Sequence, residues 1–381
     1  MTINNKLVIN KIEDKNSIFL YENGELVEQY QESIEEKRLE GNIYLGKVKN
    51  IIKGMQSAFI DIGIEKNALI HIKDIIPKES DVTGNNEINE KDYNINDYIK
   101  QGEEILVQIK KDSSKTKGAR VTKDVKLVGK YIVLMPFSKF ITISKKIEES
   151  SERQRLKMCV EEHIDRKQYG IIIRTSAENK KEKIIIDDIK STIELWNGIQ
   201  KKAEISEAPC ELYSNEGIIG KIITDYEPLG LEIETNSEEI KKQIEKISKS
   251  VLVKIDKSIN KEIEEKKKIW LKCGGFITID KTEALIAIDV NSGKCLGKRG
   301  LEETVFKVNK EASEEIAKQL RLRDLGGIII VDFIDMEKEE NRTKIKEIMV
   351  EALKKDRSKV QIIEFTKLGL LEITRKNIYR K

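Results

Sequence analysis

Two acidic residues that end apolar strands are the residues of this chain best suited to chemistry. Asp289 follows the apolar run 284–288, and Asp332 follows the apolar run 328–331. An ionised carboxylate at the end of a buried strand is costly unless a positive group meets it. Two such groups a few ångströms apart would repel by about 4 kcal/mol at an effective dielectric constant of about 20. A divalent cation would remove this repulsion, so the pair suggests a metal site for phosphate chemistry.

A third polar residue strengthens this interpretation. Side chains alternate along a strand, so Asn291 is expected on the same face as Asp289. The turn that follows contains Gly293 and Lys294 and could bring a backbone near a phosphate. The nucleotide-binding pattern G-x-x-x-x-G-K-[ST] is absent from the sequence. Each aspartate alone has a simpler explanation, as a strand-end residue that caps a turn, but the three together favour a functional site.

A possible nucleic-acid surface lies earlier in the chain. Alternation places Phe59 on the same strand face as Ser57 and Asp61. A phenylalanine on a polar face can stack on a base, although a small hydrophobic cluster beneath a long loop explains it almost equally well. The loop 110–120 is basic and rich in turn residues. This composition suits contacts with a phosphate backbone, and it also suits a solvated hairpin tip.

Arg174 and Thr175 are a further candidate pair, at the end of the apolar run 171–173. Arginine presents a planar fork of donors and threonine adds a hydroxyl, which together suit a terminal phosphate. A surface salt bridge is the commoner role of a strand-end arginine. His71 and His163 have no partner at metal-ligand spacing and are interpreted as structural.

Composition narrows the class of protein. A length of 381 residues predicts several compact units. With 36% charged residues but a net charge of only +3, nucleic-acid binding would depend on local clusters of Lys and Arg. Four scattered cysteines without a C-x-x-C pair argue against a zinc knot and a disulfide framework. No apolar stretch approaches the roughly 20 residues of a membrane span, and the N-terminus lacks a signal-peptide pattern. A cytoplasmic protein is therefore expected.

The elements that must position these residues follow from periodicity. Five short strands and one long connection in residues 41–125 predict a small OB-type barrel. From residue 269 onward, strands alternate with helical patterns, which indicates an α/β arrangement. Helical spacing predicts a helix over 192–207. Asn236 with Glu239 resembles a capping box at the start of another helix.

Several long motifs, in the same order along nearly the whole chain, resemble the bacterial ribonuclease E/G family. The most specific segments are GGFITIDKTEALIAIDVNSGK (274–294), EIAKQLRLRDLGGIIIVDFIDM (315–336) and GLLEITR (369–375). Further similar segments are GNIYLGKVKNI (41–51), SAFIDIG (57–63), GKYIVLMP (129–136) and GIIIRT (170–175).

The resemblance implies an α+β multidomain protein. Residues 1–40 and 208–268 would form a split RNase H-like subdomain. Residues 41–125 would be an inserted S1-type OB barrel, and residues 126–207 a 5′-sensor region. Residues 269–381 would form a DNase I-like α/β catalytic subdomain.

The resemblance also assigns roles to residues. Asp289 and Asp332 would bind Mg²⁺ and, with Asn291 as their supporting partner, form the catalytic set. The expected RNA contacts are Phe59, Lys117, Lys294 and Lys359. The expected pocket for a 5′-monophosphate consists of Gly129, Val133, Arg174 and Thr175.

The chain also departs from the family pattern. Leu69 stands where a second barrel aromatic is common, and Lys294 and Lys359 stand where Arg is usual. Lysine keeps the charge but loses bidentate geometry. The family's C-P-x-C zinc link is not in this sequence. We therefore expect no structural zinc, and any homodimer would not be bridged by zinc.

The resemblance implies a Mg²⁺-dependent endoribonuclease that cuts single-stranded RNA, preferably with a 5′-monophosphate. It would act in mRNA decay and in rRNA and tRNA processing, leaving 5′-phosphate and 3′-hydroxyl ends. The alternative from another class is an RNA-binding or scaffold protein without catalysis. A DNA nuclease, suggested by the catalytic subdomain alone, is a third interpretation.

Overall fold

The computed structural model describes residues 4–33, 38–76, 93–113, 117–165, 168–295 and 301–378. The chain divides into two compact units, of which the second is inserted in the sequence of the first. The first unit consists of Met1–Glu35 and Glu232–Lys381, and the second unit consists of Glu36–Leu231.

The elements of the described residues have the following bounds. The strands are β1 (Asn5–Ile12), β2 (Lys15–Glu22), β3 (Glu25–Ser33), β4 (Ile43–Ile52), β5 (Ser57–Asp61), β6 (Ala68–His71), β7 (Glu104–Lys111), β8 (Arg120–Thr122), β9 (Leu127–Val128), β10 (Ile132–Met135), β11 (Ile141–Ile143), β12 (Gly170–Ile173), β13 (Cys210–Tyr213), β14 (Leu231–Thr235), β15 (Leu252–Ile255), β16 (Lys268–Trp270), β17 (Phe276–Lys281), β18 (Leu285–Asn291), β19 (Gly327–Asp332), β20 (Val360–Phe365) and β21 (Leu370–Arg375). The α-helices are α1 (Ser150–Glu161), α2 (Glu182–Ile205), α3 (Gly217–Tyr226), α4 (Glu238–Ile247), α5 (Leu301–Leu322) and α6 (Glu339–Leu353). Short 3₁₀ helices cover Lys53–Met55, Ile72–Asp74, Ile95–Asp97, Thr175–Ala177 and Glu227–Leu229.

The second unit contains a closed five-stranded barrel. Its strands follow in the order β4-β5-β6-β8-β7, and β7 pairs back with β4. Alternate residues such as Val48, Ile60 and Val107 fill the interior, as expected for a small barrel. β13 adds to the outside of β4. The predicted OB-type barrel of five short strands is therefore confirmed.

A second sheet of this unit has the order β11-β12-β10-β9 and packs with α1 and α2. Helix α2 begins well before the predicted residue 192. The reason is that Ile185 and Ile189 continue the buried stripe of Trp196 and Ile199 by two further turns. The predicted helix was correct in type but too short.

In the first unit, the N-terminal strands share a sheet with strands from much later in the chain, in the order β15-β14-β1-β2-β3. Asn23 and Gly24 join β2 to β3 with φ values of 51° and 82°. Positive φ at both central residues is typical of a tight hairpin turn with Asn-Gly.

The predicted capping box at Asn236 is wrong. Ser237 caps α4 instead, because its hydroxyl accepts a hydrogen bond from the Ile240 amide at 3.4 Å. The Asn236 side chain accepts a hydrogen bond from the Lys11 amide at 2.8 Å, and Glu239 forms an ion pair with the Lys11 ammonium. Both residues are used to hold β1, a distant segment that local spacing cannot reveal.

The C-terminal sheet carries the acidic residues singled out from the sequence. Its order is β16-β17-β18-β19-β21-β20, in which β18 and β19 are parallel and the other neighbours are antiparallel. Ile288, Val331 and Ile373 lie on the inner face and share one core with residues of α5 and α6, such as Ile316 and Ile345. The predicted alternation of strands and helices from residue 269 is present. Among the described helices, none has the length and apolar character needed to cross a membrane.

A buried carboxylate joins the N-terminal sheet of the first unit to α5 and to the segment between α6 and β20. The side chain of Glu28, in β3, has 0% exposure. It accepts hydrogen bonds from Arg321 at 3.1 Å, from Arg357 at 2.7 Å and from the Tyr30 hydroxyl at 2.6 Å. Burial raises the pKa of Glu28. The charges of Arg357 and Arg321 and the hydrogen bonds lower it by a larger amount, so the pKa of Glu28 lies below its ordinary value.

We expect Glu28→Gln to lower the free energy of unfolding by about 3–5 kcal/mol, because two guanidinium groups lose their buried counter-charge. Since the pKa of Glu28 is lowered in the folded protein, its stabilisation is present above the unfolded pKa of about 4.3 and is lost as the pH falls further. Urea unfolding at pH 7 and near pH 4 measures this. Glu25→Gln, at the exposed hairpin end, is the control. A loss of equal size at both pH values would contradict the prediction.

Candidate active site

The parallel pairing of β18 with β19 brings the two candidate carboxylates together. Asp289 lies directly opposite Asp332 in the register, and neighbouring strands are about 4.8 Å apart. Both side chains point away from the core, whereas Ile288 and Val331 point into it. Residues 43 positions apart in the sequence thus become nearest neighbours on one exposed sheet face.

Asn291 lies beside this pair. Its side-chain amide donates a hydrogen bond to Asp289 Oδ2 at 2.6 Å, so the expectation that the two residues share a face is confirmed. Neither Asp289 nor Asp332 forms a salt bridge with a described residue. Burial raises the pKa of Asp332, and the carboxylates of Asp289 and Asp335 raise it further. The site is therefore an electronegative one.

Two features of this site had no clear sequence signal. Asp335, three residues after Asp332, is exposed and close enough to influence its pKa. Asn309, in α5, is fully buried and holds both backbone groups of Ile334. Its Nδ2 donates to the Ile334 carbonyl at 2.8 Å, and its Oδ1 accepts from the Ile334 amide at 3.1 Å. Asn309 thereby fixes the path of the chain after Asp332. Its only signal in the sequence is that a polar residue occurs within the apolar stripe of a helix.

The turn after Asn291 requires a glycine. Gly293 has a φ of 52°, and a Cβ atom there would lie 2.5 Å from the Gly274 carbonyl oxygen. The amide of Lys294 donates to the same carbonyl at 3.0 Å. The Lys294 side chain is exposed, at the end of the sheet where Asn291 lies.

Lys359 lies further from the carboxylates. It immediately precedes β20, which is separated from β19 by β21, so about two strand spacings separate it from the strand of Asp332. Its side chain is exposed, and its carbonyl accepts a hydrogen bond from the Lys376 amide at 3.0 Å. The structure thus places Lys294, but not Lys359, on a segment that directly continues from the carboxylate pair.

The barrel presents one row of outward side chains across four strands. Phe59 is half-buried, and its direct cross-strand neighbours are Asn50 and Leu69. Leu69 in turn pairs with Arg120. The residue that stands in place of a second aromatic is thus the one next to Phe59. The row therefore contains one aromatic ring, that of Phe59, and one cation, the guanidinium of Arg120 at its end.

Lys117 is exposed, just before β8. Residues 114–116 of the basic loop lie outside the described residues. Near this loop, the nearly buried carboxylate of Asp74 accepts hydrogen bonds from Lys110 at 2.6 Å and from Arg120 at 3.1 Å. Part of the local positive charge is therefore balanced within the barrel.

The candidate 5′-phosphate residues converge in the other sheet of the second unit. Arg174 donates hydrogen bonds to the Gly129 carbonyl at 2.6 Å and to the Lys130 carbonyl at 3.4 Å. It also forms an ion pair with Asp225. The Thr175 hydroxyl lies 2.8 Å from the Ser144 hydroxyl and is exposed. Arg174 is thus held in place by protein groups on two sides.

A carboxylate that the sequence did not indicate organises this turn. Asp188, in α2, accepts hydrogen bonds from the amides of Lys130 at 3.1 Å, Tyr131 at 2.8 Å and Ile132 at 3.2 Å. A Cβ atom on Gly129 would lie 2.6 Å from this carboxylate, so a larger residue there would displace Asp188 from the amides that it holds. Next to this turn, Val133 is half-buried in β10, opposite Val128 and Ile172.

Comparison with known proteins identifies the family to which the chain belongs. Residues 126–378 match the family model described as the ribonuclease E/G family. The chain belongs to the ribonuclease E/G family. Residues 38–123 match the model of the S1 RNA-binding domain, and these residues contain the closed barrel. The predicted family, and with it an enzyme of the ribonuclease class that carries an S1 domain, is confirmed.

Relatives match over most of the chain. Ribonuclease G of Escherichia coli K12 is 35% identical over 97% of this chain and 79% of its own length. Ribonuclease G of Haemophilus influenzae is 36% identical over the same shares. Ribonuclease E of Nostoc sp. is 35% identical over 89% of this chain and 52% of its own length.

The electrostatics of the carboxylate pair lead to a prediction for metal-free protein. Because the folded protein raises the pKa of Asp332, its ionised form destabilises the fold above that pKa. Asp332→Asn should therefore raise the free energy of unfolding at pH 7 in EDTA by up to about 1 kcal/mol. The gain should shrink toward pH 4, where the carboxyl group becomes protonated. Thermal unfolding at pH 7 and pH 4 measures this gain in stability. Asp280→Asn, at a residue exposed on the same sheet face, is the control. An unchanged or lowered melting temperature for Asp332→Asn at pH 7 would contradict the prediction.

Proposed function

We propose that this family member is a Mg²⁺-dependent endoribonuclease that cleaves single-stranded RNA. The observation that carries the proposal is the direct opposition of Asp289 and Asp332 on an exposed sheet face, with Asn291 bonded to one of them. We further propose that it acts in the cytoplasm, in mRNA decay and in rRNA and tRNA processing. The relatives named ribonuclease G and ribonuclease E support the ribonuclease part of this proposal.

The residues present fit a magnesium ion. Mg²⁺ is typically held by one or two carboxylates, with water and substrate phosphates as the remaining ligands. Asp289 and Asp332 offer two carboxylates, and no cluster of three or more His, Cys, Asp or Glu suited to a metal occurs among the described residues. Burial and then the neighbouring carboxylates of Asp289 and Asp335 raise the pKa of Asp332, and a bound cation would offset both effects. When bound there, the ion would act as a Lewis acid toward a phosphate and would lower the pKa of a water molecule.

The surrounding side chains would keep this geometry during the reaction. The amide of Asn291 holds one oxygen of Asp289 and so fixes the direction of the carboxylate. Asn309 fixes the segment after Asp332. The exposed ammonium of Lys294 lies on the next turn, where it would contact a neighbouring phosphate of the RNA.

The proposed reaction is hydrolysis of one phosphodiester bond. The oxygen of a water molecule attacks phosphorus, the bond from phosphorus to the 3′-oxygen breaks, and that oxygen takes up a proton. The products are a 5′-phosphate and a 3′-hydroxyl end. Magnesium dependence and this product pattern are both parts of the proposal.

Two surfaces of the second unit would bind the RNA outside the cleavage site. Phe59 would stack on a base, and Lys117 would contact the backbone, so binding should weaken with salt. Arg174 and Thr175 would bind a 5′-terminal phosphate, beside the tight turn at Gly129 and the apolar side chain of Val133. In this state, the phosphate would replace Asp225 as the partner of the guanidinium.

The rival is an RNA-binding or scaffold protein, and cleavage assays separate the two. With 5′-monophosphorylated, single-stranded, A/U-rich RNA, we expect cleavage in Mg²⁺ and none in EDTA. Asp289→Asn and Asp332→Asn should each lower kcat by about 100- to 1,000-fold, the rate equivalent of several kcal/mol of lost charge stabilisation. Asp280→Asn is the matched control.

The outcomes of this assay are distinct. Tight binding of RNA without cleavage by the unaltered protein would support the scaffold, and comparable cleavage of single-stranded DNA would support a DNA nuclease. Cleavage that survives both substitutions would show that these carboxylates do not form the active site. Enzymatic ligation of the products to a labelled adaptor identifies the phosphate-bearing end.

Arg174 generates a separate prediction about substrate preference. Charge-assisted hydrogen bonds contribute about 1.5–3 kcal/mol, so Arg174→Gln should lower the preference for 5′-monophosphorylated over 5′-hydroxyl RNA by about 10-fold or more. Parallel kcat/KM measurements on the two substrates give this ratio. Arg155→Gln, which removes an arginine paired with Glu152 in the same unit, is the control. If Arg174→Gln slowed both substrates equally, the loss would reflect folding rather than phosphate recognition.

A further inference from the structure

We propose that Trp270 and Phe276, together with Lys268, form a stacking subsite for one base of the RNA beside the carboxylate pair. This inference rests on the proposed function and adds to it a substrate-positioning surface in the first unit. The subsite is separate from the barrel surface of Phe59, which belongs to the second unit.

The register of the sheet places the aromatic residues in line with the active site. Trp270 lies directly opposite Phe276, and Phe276 lies directly opposite Asn291. Directly paired residues of antiparallel strands point to the same face. The three side chains therefore form one row on the exposed face, about 10 Å from β16 to β18.

The next row along the same strands contains the carboxylates. Lys268 lies opposite Thr278, which lies opposite Asp289, which lies opposite Asp332. The two rows are two residues apart along each strand, roughly 7 Å. An RNA strand with a phosphate at the carboxylates would thus have the aromatic row within reach of a neighbouring nucleotide.

The solvent exposure of this aromatic pair is unusual for residues with a purely structural role. Trp270 is 57% exposed on the edge strand β16. The other tryptophan of the chain, Trp196, is 2% exposed and fills a core. The rings of Trp270 and Phe276 lie 5.3 Å apart at an angle of 60°. They contact each other edge to face and leave ring surface toward solvent, which is the arrangement a stacking platform needs.

A cation completes the match to a nucleotide. The Lys268 ammonium lies 4.4 Å from the centroid of Trp270 and 3.6 Å from that of Phe276. An exposed cation–π contact is weaker than stacking of a base on an aromatic ring. A base can therefore displace the ammonium, which is then available to the phosphate of the same nucleotide. Flat apolar rings next to a positive charge favour a nucleotide over an apolar protein partner.

Fluorescence tests the contact without any cleavage. In the Asp332→Asn background, single-stranded RNA should quench tryptophan emission, because Trp270 is the exposed one of the two tryptophans. The added substitution Trp270→Phe should remove the quenching while RNA binding persists. Equal quenching with and without Trp270 would contradict the subsite.

Cleavage kinetics test its role in positioning. A series of RNAs with one abasic position each should reveal one position near the cut bond where loss of the base lowers kcat/KM by about 5- to 100-fold. Trp270→Ala should lower kcat/KM on intact RNA by a similar factor. In this variant, the abasic position should cause no additional loss of kcat/KM. Trp270→Phe, which keeps an aromatic ring, should retain most of the rate. Leu252→Ala, at a residue 74% exposed in the same unit, is the control.

The outcomes distinguish the subsite from the proposed function. Normal cleavage with no abasic position that depends on Trp270 would overturn the subsite and leave the endoribonuclease intact. Neither binding nor cleavage of RNA by the unaltered protein would overturn the proposed function itself.

Discussion

The parallel pairing of β18 with β19 is the constraint on which the candidate active site depends. It sets two like charges, Asp289 and Asp332, side by side on a solvent-facing surface, an arrangement that folding alone would disfavour. The remainder of the first unit holds it in place. The inner face of the sheet shares a core with α5 and α6, and Asn309 fixes the chain just after Asp332. An apolar face that is packed on two helices thus supports an electrostatically unfavourable outer face.

Part of this site could be predicted from the sequence because it is local. Apolar runs end at Asp289 and Asp332, and alternation alone places Asn291 beside Asp289. The opposition of the two aspartates is not local, because it depends on a crossover through α5 that periodicity does not describe. Asn309, Asp188 and the Asn236 side chain were missed or misassigned for the same reason. Each bonds to a segment that only tertiary structure brings near.

Buried and partly buried carboxylates recur as organisers in both units. Asp188 collects three backbone amides at the turn beside Gly129, and Glu28 collects two guanidinium groups and a hydroxyl. In β21, the fully buried Arg375 pairs with Asp324 and Asp356. These groups gain little net energy from burial, but removing one partner is costly. They therefore specify which segments meet, a task that apolar packing performs less selectively.

The dependence of β3 on distant arginines also affects how the protein emerges from the ribosome. Glu28 is synthesised before the second unit, but its partners Arg321 and Arg357 are synthesised after the whole of that unit. At translation rates of about 5–20 residues per second, roughly 16–66 s separate the synthesis of Glu28 from that of Arg357. The N-terminal hairpins must wait through this interval with a charged residue on a face destined for the interior. Because β3 is an edge strand of its sheet and inward-pointing charges oppose edge-to-edge aggregation, we expect Glu28 to protect this nascent sheet until its arginines are synthesised.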